Sequence, residues 1–414
     1  MPAGAIIRVL PLDPDKPRPV RIASARHLTP LTRRELDGLW FDIDADDTTG
    51  VDTRATLAEC IELCLHLRTA SNVLWLLTRA RCPSPDALYK NAAAFPWEEV
   101  LDHTAFLTIT SAVDHPKIDN SLYASRLLKD AICDRLTQKN GVRPDSGPGR
   151  TGVVVHLHWV GDKASIWLSV NGRVLSDRGY RKRPHHAPLR ESLAAAVLML
   201  AGYDGSAPLL CPMCGSGTLA IEGALVAAGR APGLLRPDFG VLHTLFEAKP
   251  MLDEARSRVK NKPIKSIPPI IATDHDPTAI DAARHNARTA GVEHLIDFRV
   301  CDFADSPVPA LESDTPGVCV INPEYGLRLG EEHALEPTYS RIGDFMKQRL
   351  PGWTGHLLTA NRALAGKVGL KSRSKTPLLN ASIECRLLSY DLFAGSRDGG
   401  RPQREQPATE DGRA

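Results

Sequence analysis

The sequence predicts a doubly wound, mainly parallel α/β sheet preceded by a smaller α+β unit. Three observations carry this expectation. From residue 189 to Phe393, apolar strand-like runs alternate with amphipathic helical segments, the pattern of βαβ units. One run, Leu209-Leu210-Cys211, opens into a glycine-rich turn and a helix. Another, Val318-Cys319-Val320-Ile321, stops at Asn322-Pro323. Buried parallel strands read as such apolar runs, and open α/β sheets collect ligands at the carboxyl ends of their strands.

At 414 residues the chain is long enough for two or three domains, and 43% apolar with 24% charged residues is an ordinary soluble composition. A net charge of +2 names no partner, so any nucleic-acid footprint has to be local. The longest apolar stretch, around 193–201, is too short to span a bilayer, and no membrane partner is expected. Met1-Pro2-Ala3-Gly4 does not start a secretory leader. Nine scattered cysteines make no disulfide framework, so the expected compartment is the cytoplasm. No oligomeric state is legible.

Taken in order, residues 1–50 read as a divergent, irregular segment. Pro11, Pro14, Pro17, Pro19 and the acidic run 42–47 interrupt any period, leaving short β-like pieces near 6–10 and 20–23. Residues 51–176 alternate helices and strands in an α+β manner. Leu57, Cys60, Ile61, Cys64 and Leu65 have helical spacing within 56–67, and their two thiols read as buried, since no second Cys/His pair is near. Residues 73–78 read as a strand and 84–94 as a helix opening on Ser84-Pro85-Asp86. A strand at 106–111 and a long helix at 120–136 follow, then a hairpin of 153–158 and 164–170 across Gly161-Asp162. His156 and His158 share a strand face without a third ligand, so no metal is expected. Arg126, Lys129, Arg135, Lys139, Arg143 and Arg150 cluster here; a solvated helix face and an RNA contact explain them equally well.

Residues 177–188 form a basic, proline-rich connector carrying Arg178, Arg181, Lys182 and Arg183. The larger unit, 189–393, then reads as helix 190–199, strand 208–211, helices 217–228 and 245–259, strand 270–273 and helix 277–290. Strands 296–300 and 318–321, helix 339–349, strand 355–359 and terminal strands near 378–379 and 384–390 complete it. Residues 394–414, rich in Gly, Arg, Gln and Glu, read as a disordered tail.

Chemistry concentrates at the predicted strand ends. In Cys211-Pro212-Met213-Cys214-Gly215-Ser216-Gly217-Thr218, glycines let the backbone approach a ligand closely, and the helix start favours an anion. The turn has neither the Gly-Lys-Ser/Thr of a Walker loop nor the third glycine of the dinucleotide fingerprint. Cys211 and Cys214 have redox spacing, but the Gly-Ser-Gly-Thr continuation favours a ligand cradle. Asp274 ends the next strand, where a ribose diol is held by charge-assisted bonds, whereas Asp276 reads as the N-cap before Pro277. Asp302-Phe303 follows the third strand with a carboxylate and a ring suited to adenine. Each acid taken alone is more often a cap. Asn322-Pro323-Glu324-Tyr325 adds a planar amide, a rigid turn and a stacking face, suited to a flat base with an amino group; in isolation it would be read as a turn. Together these features point to a nucleoside cofactor beside a planar base, and S-adenosylmethionine fits that pairing.

On these motifs the chain resembles a known family. Residues 187–393, through A-P-L-R-E-S-L-A-A (187–195), P-M-C-G-S-G-T-L-A-I-E (212–222), N-P-E-Y-G-L-R-L-G-E-E (322–332), K-Q-R-L-P-G-W (347–353) and N-A-S-I-E-C-R-L-L-S-Y (380–390), look like the Rossmann-like class I methyltransferase domain of bacterial large-subunit (23S) rRNA guanine-N2 methyltransferases. Residues 56–180, with L-R-T-A-S-N-V-L (67–74) and R-G-Y-R (178–181), resemble the ferredoxin-like and THUMP RNA-binding portion of the same proteins. The resemblance implies a sheet with an antiparallel C-terminal strand and methyl transfer from S-adenosylmethionine to a guanine 2-amino group in structured RNA. Ribosomal RNA is the first expectation and tRNA the second. By matching positions, Cys211, Met213, Gly215, Gly217 and Thr218 line the cofactor, with Gly215 and Gly217 at its methionine end. Asp274 takes the ribose and Asp302 the adenine. Asn322, which also borders the cofactor, and the Pro323 carbonyl accept from the target amine, and Tyr325 stacks on the base.

Two positions depart from the family pattern. Cys211 stands where Asp is usual, and Glu324 where a second Pro is usual. Glu324 is open to accepting from the amine, taking its proton, facing solvent or pairing with Arg328. An adenine amino-methyltransferase and a non-catalytic RNA-binding or ribosome-assembly factor that retains the fold are the competing readings.

Overall fold

Arg18-Pro19-Val20-Arg21-Ile22-Ala23-Ser24 alternates buried and half-buried positions, the period of a strand with one face on a core. It forms β1 (Arg18–Ser24) of a computed structural model that describes residues 12–184, 189–260, 266–311, 315–326 and 331–393. The irregular reading of 1–50 is therefore corrected for residues 12–50, and the β-like piece expected near 20–23 lies within β1. After β1 come α1 (Thr29–Gly38) and β2 (Ile43–Asp47), and residues 18–47 belong to a full sheet. The short strand expected at 6–10, the tail 394–414 and Arg328 lie outside the described residues.

The remaining elements of the first unit are β3 (Gly50–Ala55), α2 (Leu57–His66), β4 (Ala70–Arg81), α3 (Pro85–Ala94), β5 (Leu107–Asp114), α4 (Ser121–Asn140), β6 (Val153–Val160) and β7 (Lys163–Ser169). Their ends follow local chemistry. Thr56 and Glu59 form a capping box for α2, Ser84 caps α3 ahead of Pro85, and Asn120 caps α4. The strands assemble in the order β2-β3-β1-β4-β7-β6-β5, antiparallel except for the β5–β6 pair.

The second unit contains α5 (Glu191–Leu200), β8 (Leu209–Pro212), α6 (Thr218–Ala227), α7 (Ala248–Lys260), β9 (Ile270–Asp274), α8 (Pro277–Thr289), β10 (Ile296–Val300) and β11 (Val318–Ile321). It ends with α9 (Glu331–Arg349), β12 (Thr354–Thr359), α10 (Arg362–Lys367), β13 (Ser374–Asn380) and β14 (Ile383–Asp391). The order is β10-β9-β8-β11-β12-β14-β13, parallel from β10 to β12, with β14 antiparallel to both its neighbours. The mainly parallel sheet with an antiparallel C-terminal strand is thus as expected. Strand parity explains why both faces are apolar. Leu209 and Cys211 pack toward α5, α6 and α8, whereas Leu210, Cys319 and Ile321 pack toward α9. Helix α9 starts well before the expected residue 339 and carries Pro337 inside it.

The two units interlock through segments that each lends to the other. Leu28 and Leu31, at the start of α1, join the core of the second sheet. Conversely Phe239, Val241, Ala248, Leu252, Ala255 and Val259 join the core of the first, so α7 is not a layer of its own sheet. The return is close-fitting: a Cβ on Gly233 would lie 2.4 Å from the Cys64 carbonyl oxygen and 2.5 Å from Leu65 Cα. Between the units runs a buried polar seam. Arg178 Nε lies 3.6 Å from Glu222 Oε1, Tyr180 donates to the same oxygen at 3.2 Å, and Arg178 also donates to the carbonyls of Leu175 and Arg68.

Candidate active site

Parallel pairing puts the carboxyl ends of β8, β9, β10, β11 and β12 on one edge of the second sheet. The order reverses between β8 and β11, so a crevice forms there, at the usual ligand position of an open α/β sheet. That edge gathers Met213–Thr218 after β8, Asp274 at the end of β9, Asp302 after β10, and Asn322 and Pro323 after β11. The residues are distant in sequence, and the topology alone brings them together.

The turn after β8 is held open by backbone geometry. Met213, Gly215 and Gly217 all have positive φ, at 55°, 53° and 83°. At Gly215 an added Cβ would meet nothing within 4 Å, so the turn faces open space. At Gly217 it would come within 2.9 Å of Ala283 Cβ, because α6 starts tight against α8. Asn286, on α8, donates to the Ser216 carbonyl and accepts from the backbone of Lys182 and Arg183. A glycine cradle with open space over it fits a nucleoside cofactor.

Asp274 is buried and already bonded: Oδ2 accepts from Gly215 N at 2.9 Å and Oδ1 from Asp276 N at 3.0 Å. It therefore ties the β9 tip to the glycine turn. Asp276 caps α8 ahead of Pro277, as its position in the sequence indicates. Asp302 accepts from Ala304 N at 2.9 Å and from Arg341 at 2.7 Å, both at Oδ1. Burial alone would raise its pKa, but those two donors outweigh it and keep the carboxyl below its ordinary range. Arg341 also lies over the Phe303 ring, 4.9 Å from its centroid.

After β11, Tyr325 Oη donates to Asn322 Oδ1 at 2.7 Å. Burial pushes the phenol far above its usual range, so it stays a donor. Tyr339 Oη contacts the Glu324 carbonyl and Thr359 Oγ1, each at 2.9 Å, which fastens the motif to the end of β12. The Glu324 side chain is exposed, and Pro323 is buried. Sequence reasoning missed Tyr339, Thr359 and Arg341. Only their place after or beside strand ends could have signalled them.

One expected site residue is not at the edge surface. Cys211 has no exposed surface and packs in the α5–α6–α8 core, so it offers nothing for a ligand to touch, and it is removed from the cofactor set. Burial raises the pKa of both the Cys211 and Cys214 thiols, which argues against a redox pair. Among the described residues, no group of three or more His, Cys, Asp and Glu side chains is placed to hold a metal, and no helix is long and apolar enough to cross a membrane.

The basic clusters seen in the sequence are largely paired off. Arg135 lies 2.6 Å from Glu98, and Arg143 meets Asp130 at 3.0 Å and Asp134 at 2.7 Å. In the connector, Arg181 pairs with Glu191 at 3.0 Å and Arg183 with Asp281 at 2.5 Å, while Arg178 is buried in the polar seam.

Comparison with known proteins agrees with this architecture. The RMKL-like methyltransferase-domain model matches residues 178–389, about half the chain, and the THUMP domain model matches residues 83–169. A ribosomal RNA large subunit methyltransferase K/L of Syntrophotalea carbinolica is 34% identical over 404 residues, 96% of this chain and 56% of that protein. The chain spans about half the length of the curated relatives it matches. Among solved structures, a possible methylase of Clostridium difficile 630 superposes with a TM-score of 0.80 at 26% identity, covering 92% of this chain and all of that one. A predicted N6-adenine-specific DNA methylase of Listeria monocytogenes superposes with a TM-score of 0.77 at 27% identity, covering 91% and 97% of the two chains.

Proposed function

The chain belongs to the RMKL-like methyltransferase-domain family, and from that premise we propose that it transfers a methyl group from S-adenosylmethionine to a guanine 2-amino group in ribosomal RNA. The observation that carries the reading is the shared edge: a glycine cradle, two strand-end carboxylates and an Asn-Pro-Glu-Tyr turn converge at one switch point. The large-subunit rRNA methyltransferase named among its relatives and the THUMP match support RNA as substrate. The compartment that suits such a substrate is the cytoplasm.

The cofactor would lie over Gly215 and Gly217, bordered by Met213, Thr218 and Asn322, with Asp274 toward the ribose and Asp302 toward the adenine. When bound it supplies an electrophilic sulfonium methyl. Asp274 keeps the cradle in shape through Gly215 N and Asp276 N, and Arg341 holds Asp302 ionised. An aromatic amine is a poor nucleophile because its lone pair is delocalised into the ring. Two acceptors, Asn322 Oδ1 and the Pro323 carbonyl, would draw the amine toward tetrahedral geometry and aim its lone pair. That is preorganisation, with no covalent intermediate. Tyr325 would stack on the base while its hydroxyl fixes the Asn322 amide; a carbonyl oxygen accepts two bonds, so one lone pair stays free for the amine. A base drawn from a structured RNA must first be unstacked, and the THUMP-containing unit would hold the RNA meanwhile.

Mass spectrometry of rRNA and tRNA digests from wild-type and deletion cells tests the reading. The expected result is one N2-methylguanosine missing from large-subunit rRNA in the deletion strain and restored by the wild-type gene but not by Asn322→Ala. A loss confined to tRNA would reassign the substrate, and unchanged digests with no cofactor affinity would leave a non-catalytic RNA-binding factor. An adenine target is the second reading, favoured by the name of the Listeria structure and by a motif that accepts from either base's amine. Loss of N6-methyladenosine in the same digests would establish it.

A further inference from the structure

Most members of the basic clusters that stand out in the sequence are paired with acids in the fold, whereas a set scattered through the sequence is not. A cavity of about 780 Å³ opens between the β1–α1 turn and the β13–β14 hairpin. It is lined by Arg26 and His27 from the first unit and by Arg362, Lys375, Glu384 and Arg386 from the second. Among the described residues Arg26, Arg362, Lys375 and Arg386 make no ion pair or side-chain hydrogen bond, so four cations face one carboxylate. The volume is within the range of small-molecule sites. The lining is too polar for an apolar ligand and suits a phosphate-bearing one.

The cavity adjoins the Asn322–Tyr325 turn. Thr359, on its wall, shares the Tyr339 hydroxyl with the Glu324 carbonyl. Cys385 and Leu378, also on the wall, belong to the cluster against which Tyr325 packs. Arg26 is brought there by α1, whose Leu28 and Leu31 are anchored in the methyltransferase core. His27, at φ 74°, makes the tight turn that exposes both side chains. A docked α1 thus has a consequence beyond packing, since it lends a cation to the substrate side of the other unit.

We propose that this composite cavity grips the RNA phosphates flanking the target nucleotide, with Arg26 of the first unit and Arg386 of the hairpin on opposite sides of the strand. The proposal rests on the RNA methyltransferase reading and specifies where the backbone lies. Arg362 and Lys375 extend the same track along the wall, and Glu384 limits how deep a phosphate sits.

The test is the salt dependence of binding to a fluorescein-labelled, mixed-sequence single-stranded RNA of about 20 nucleotides, measured with the full chain. Each phosphate contact contributes about 0.7 to the slope of log affinity against log salt for a single strand. The double variant Arg26→Gln/Arg386→Gln is expected to lower the slope by about 1.4 and to weaken binding roughly tenfold near 0.1 M salt. S-adenosylhomocysteine affinity should not change. Arg26→Lys/Arg386→Lys, which keeps the charges, should retain most of the slope, and that separates charge from packing. Arg299→Gln, on β10 at the opposite edge of the sheet, serves as the control. Wild-type RNA binding with an unchanged slope in the glutamine variant would overturn the cavity assignment alone. Absence of RNA binding by the wild type would overturn the parent reading with it. GMP binding to the wild type that is lost in the glutamine variant, with the RNA slope intact, would assign the cavity to a free nucleotide and overturn the backbone proposal.

Discussion

Two glycines two residues apart should fail in different ways when each is replaced by alanine. Both have positive φ, 53° at Gly215 and 83° at Gly217, where an L-residue costs about 1–2 kcal/mol of backbone strain. Part of that is offset by the smaller entropy of the unfolded alanine chain, about 0.4–1 kcal/mol. At Gly215 nothing else is added, because the new methyl enters open space. At Gly217 the methyl meets Ala283 at 2.9 Å and 3.2 Å, and forcing α6 and α8 apart adds overpacking of about 1–3 kcal/mol. Gly217→Ala should therefore show a clear fall in the urea midpoint, and Gly215→Ala only a small one. If the open space over the turn is the cofactor's place, the order reverses for ligand binding relative to stability. Gly215→Ala should weaken S-adenosylhomocysteine at least tenfold by calorimetry, about 1.4 kcal/mol, while remaining folded. A Gly215→Ala protein that binds within twofold of wild type would refute the placement of the cofactor over this turn.

Other expectations follow from groups away from the cradle. Burial lowers the His356 pKa to about 4 from 6.5, so the folded protein keeps it neutral while the unfolded chain takes up a proton below 6.5. Its contribution is therefore complete above pH 6.5 and lost as pH falls toward 4, with a slope approaching about 1.4 kcal/mol per unit. Urea unfolding of His356→Gln across that window should give a shallower slope, and an identical slope would show that His356 is not the titrating group. In the buried seam, Glu222→Ala should destabilise by about 3–5 kcal/mol because it strands the Arg178 charge, and Glu222→Gln by less because Tyr180 keeps a partner. Equal, small midpoint shifts for the two would mean that the seam does not hold the units together. Tyr325→Phe removes the hydroxyl that orients Asn322 and leaves the ring; kcat should fall about tenfold, with cofactor affinity unchanged in calorimetry. An unchanged kcat would assign Tyr325 to stacking alone.

The parts of the fold that were legible in the sequence are those specified locally. Ser84, Asn120 and Asp276 announce helix starts because a cap acts on the next two or three residues. The strand ends carrying Gly215, Asp274, Asp302 and Asn322 were legible because buried parallel strands are short apolar runs with abrupt ends. What was missed depends on partners remote in sequence. The β-like piece near 20–23 was legible, but not that it would be an interior strand despite Pro19. The proline is tolerated because it sits one residue from the start, and pairing with β4 begins only at Val20. Pro337 likewise hid the first half of α9. The helical period of α7 was readable, but the sheet it packs on was not, because its apolar stripe carries no address.

Charge makes the same point for the site. The run of cations on and just after α4 drew attention because its members are close in sequence, but acids on the helix and ahead of β5 pair with several of them: Asp130 and Asp134 with Arg143, Glu98 with Arg135. Arg26, Arg362, Lys375 and Arg386 are single cations far apart in sequence, and only the docking of α1 and the fold of the hairpin bring them to one cavity. A sequence cluster counts charges before pairing, whereas a ligand meets the charges that remain afterwards. On that measure four of the cations left without an ion pair gather beside the Asn322–Tyr325 turn, where a phosphate backbone must pass if a base is delivered there. The polar seam of Arg178, Tyr180 and Glu222 then has a mechanical role as well. If it fixes the first unit against the second, loosening it should shift Arg26 relative to Arg386 and weaken RNA binding before it touches the chemistry.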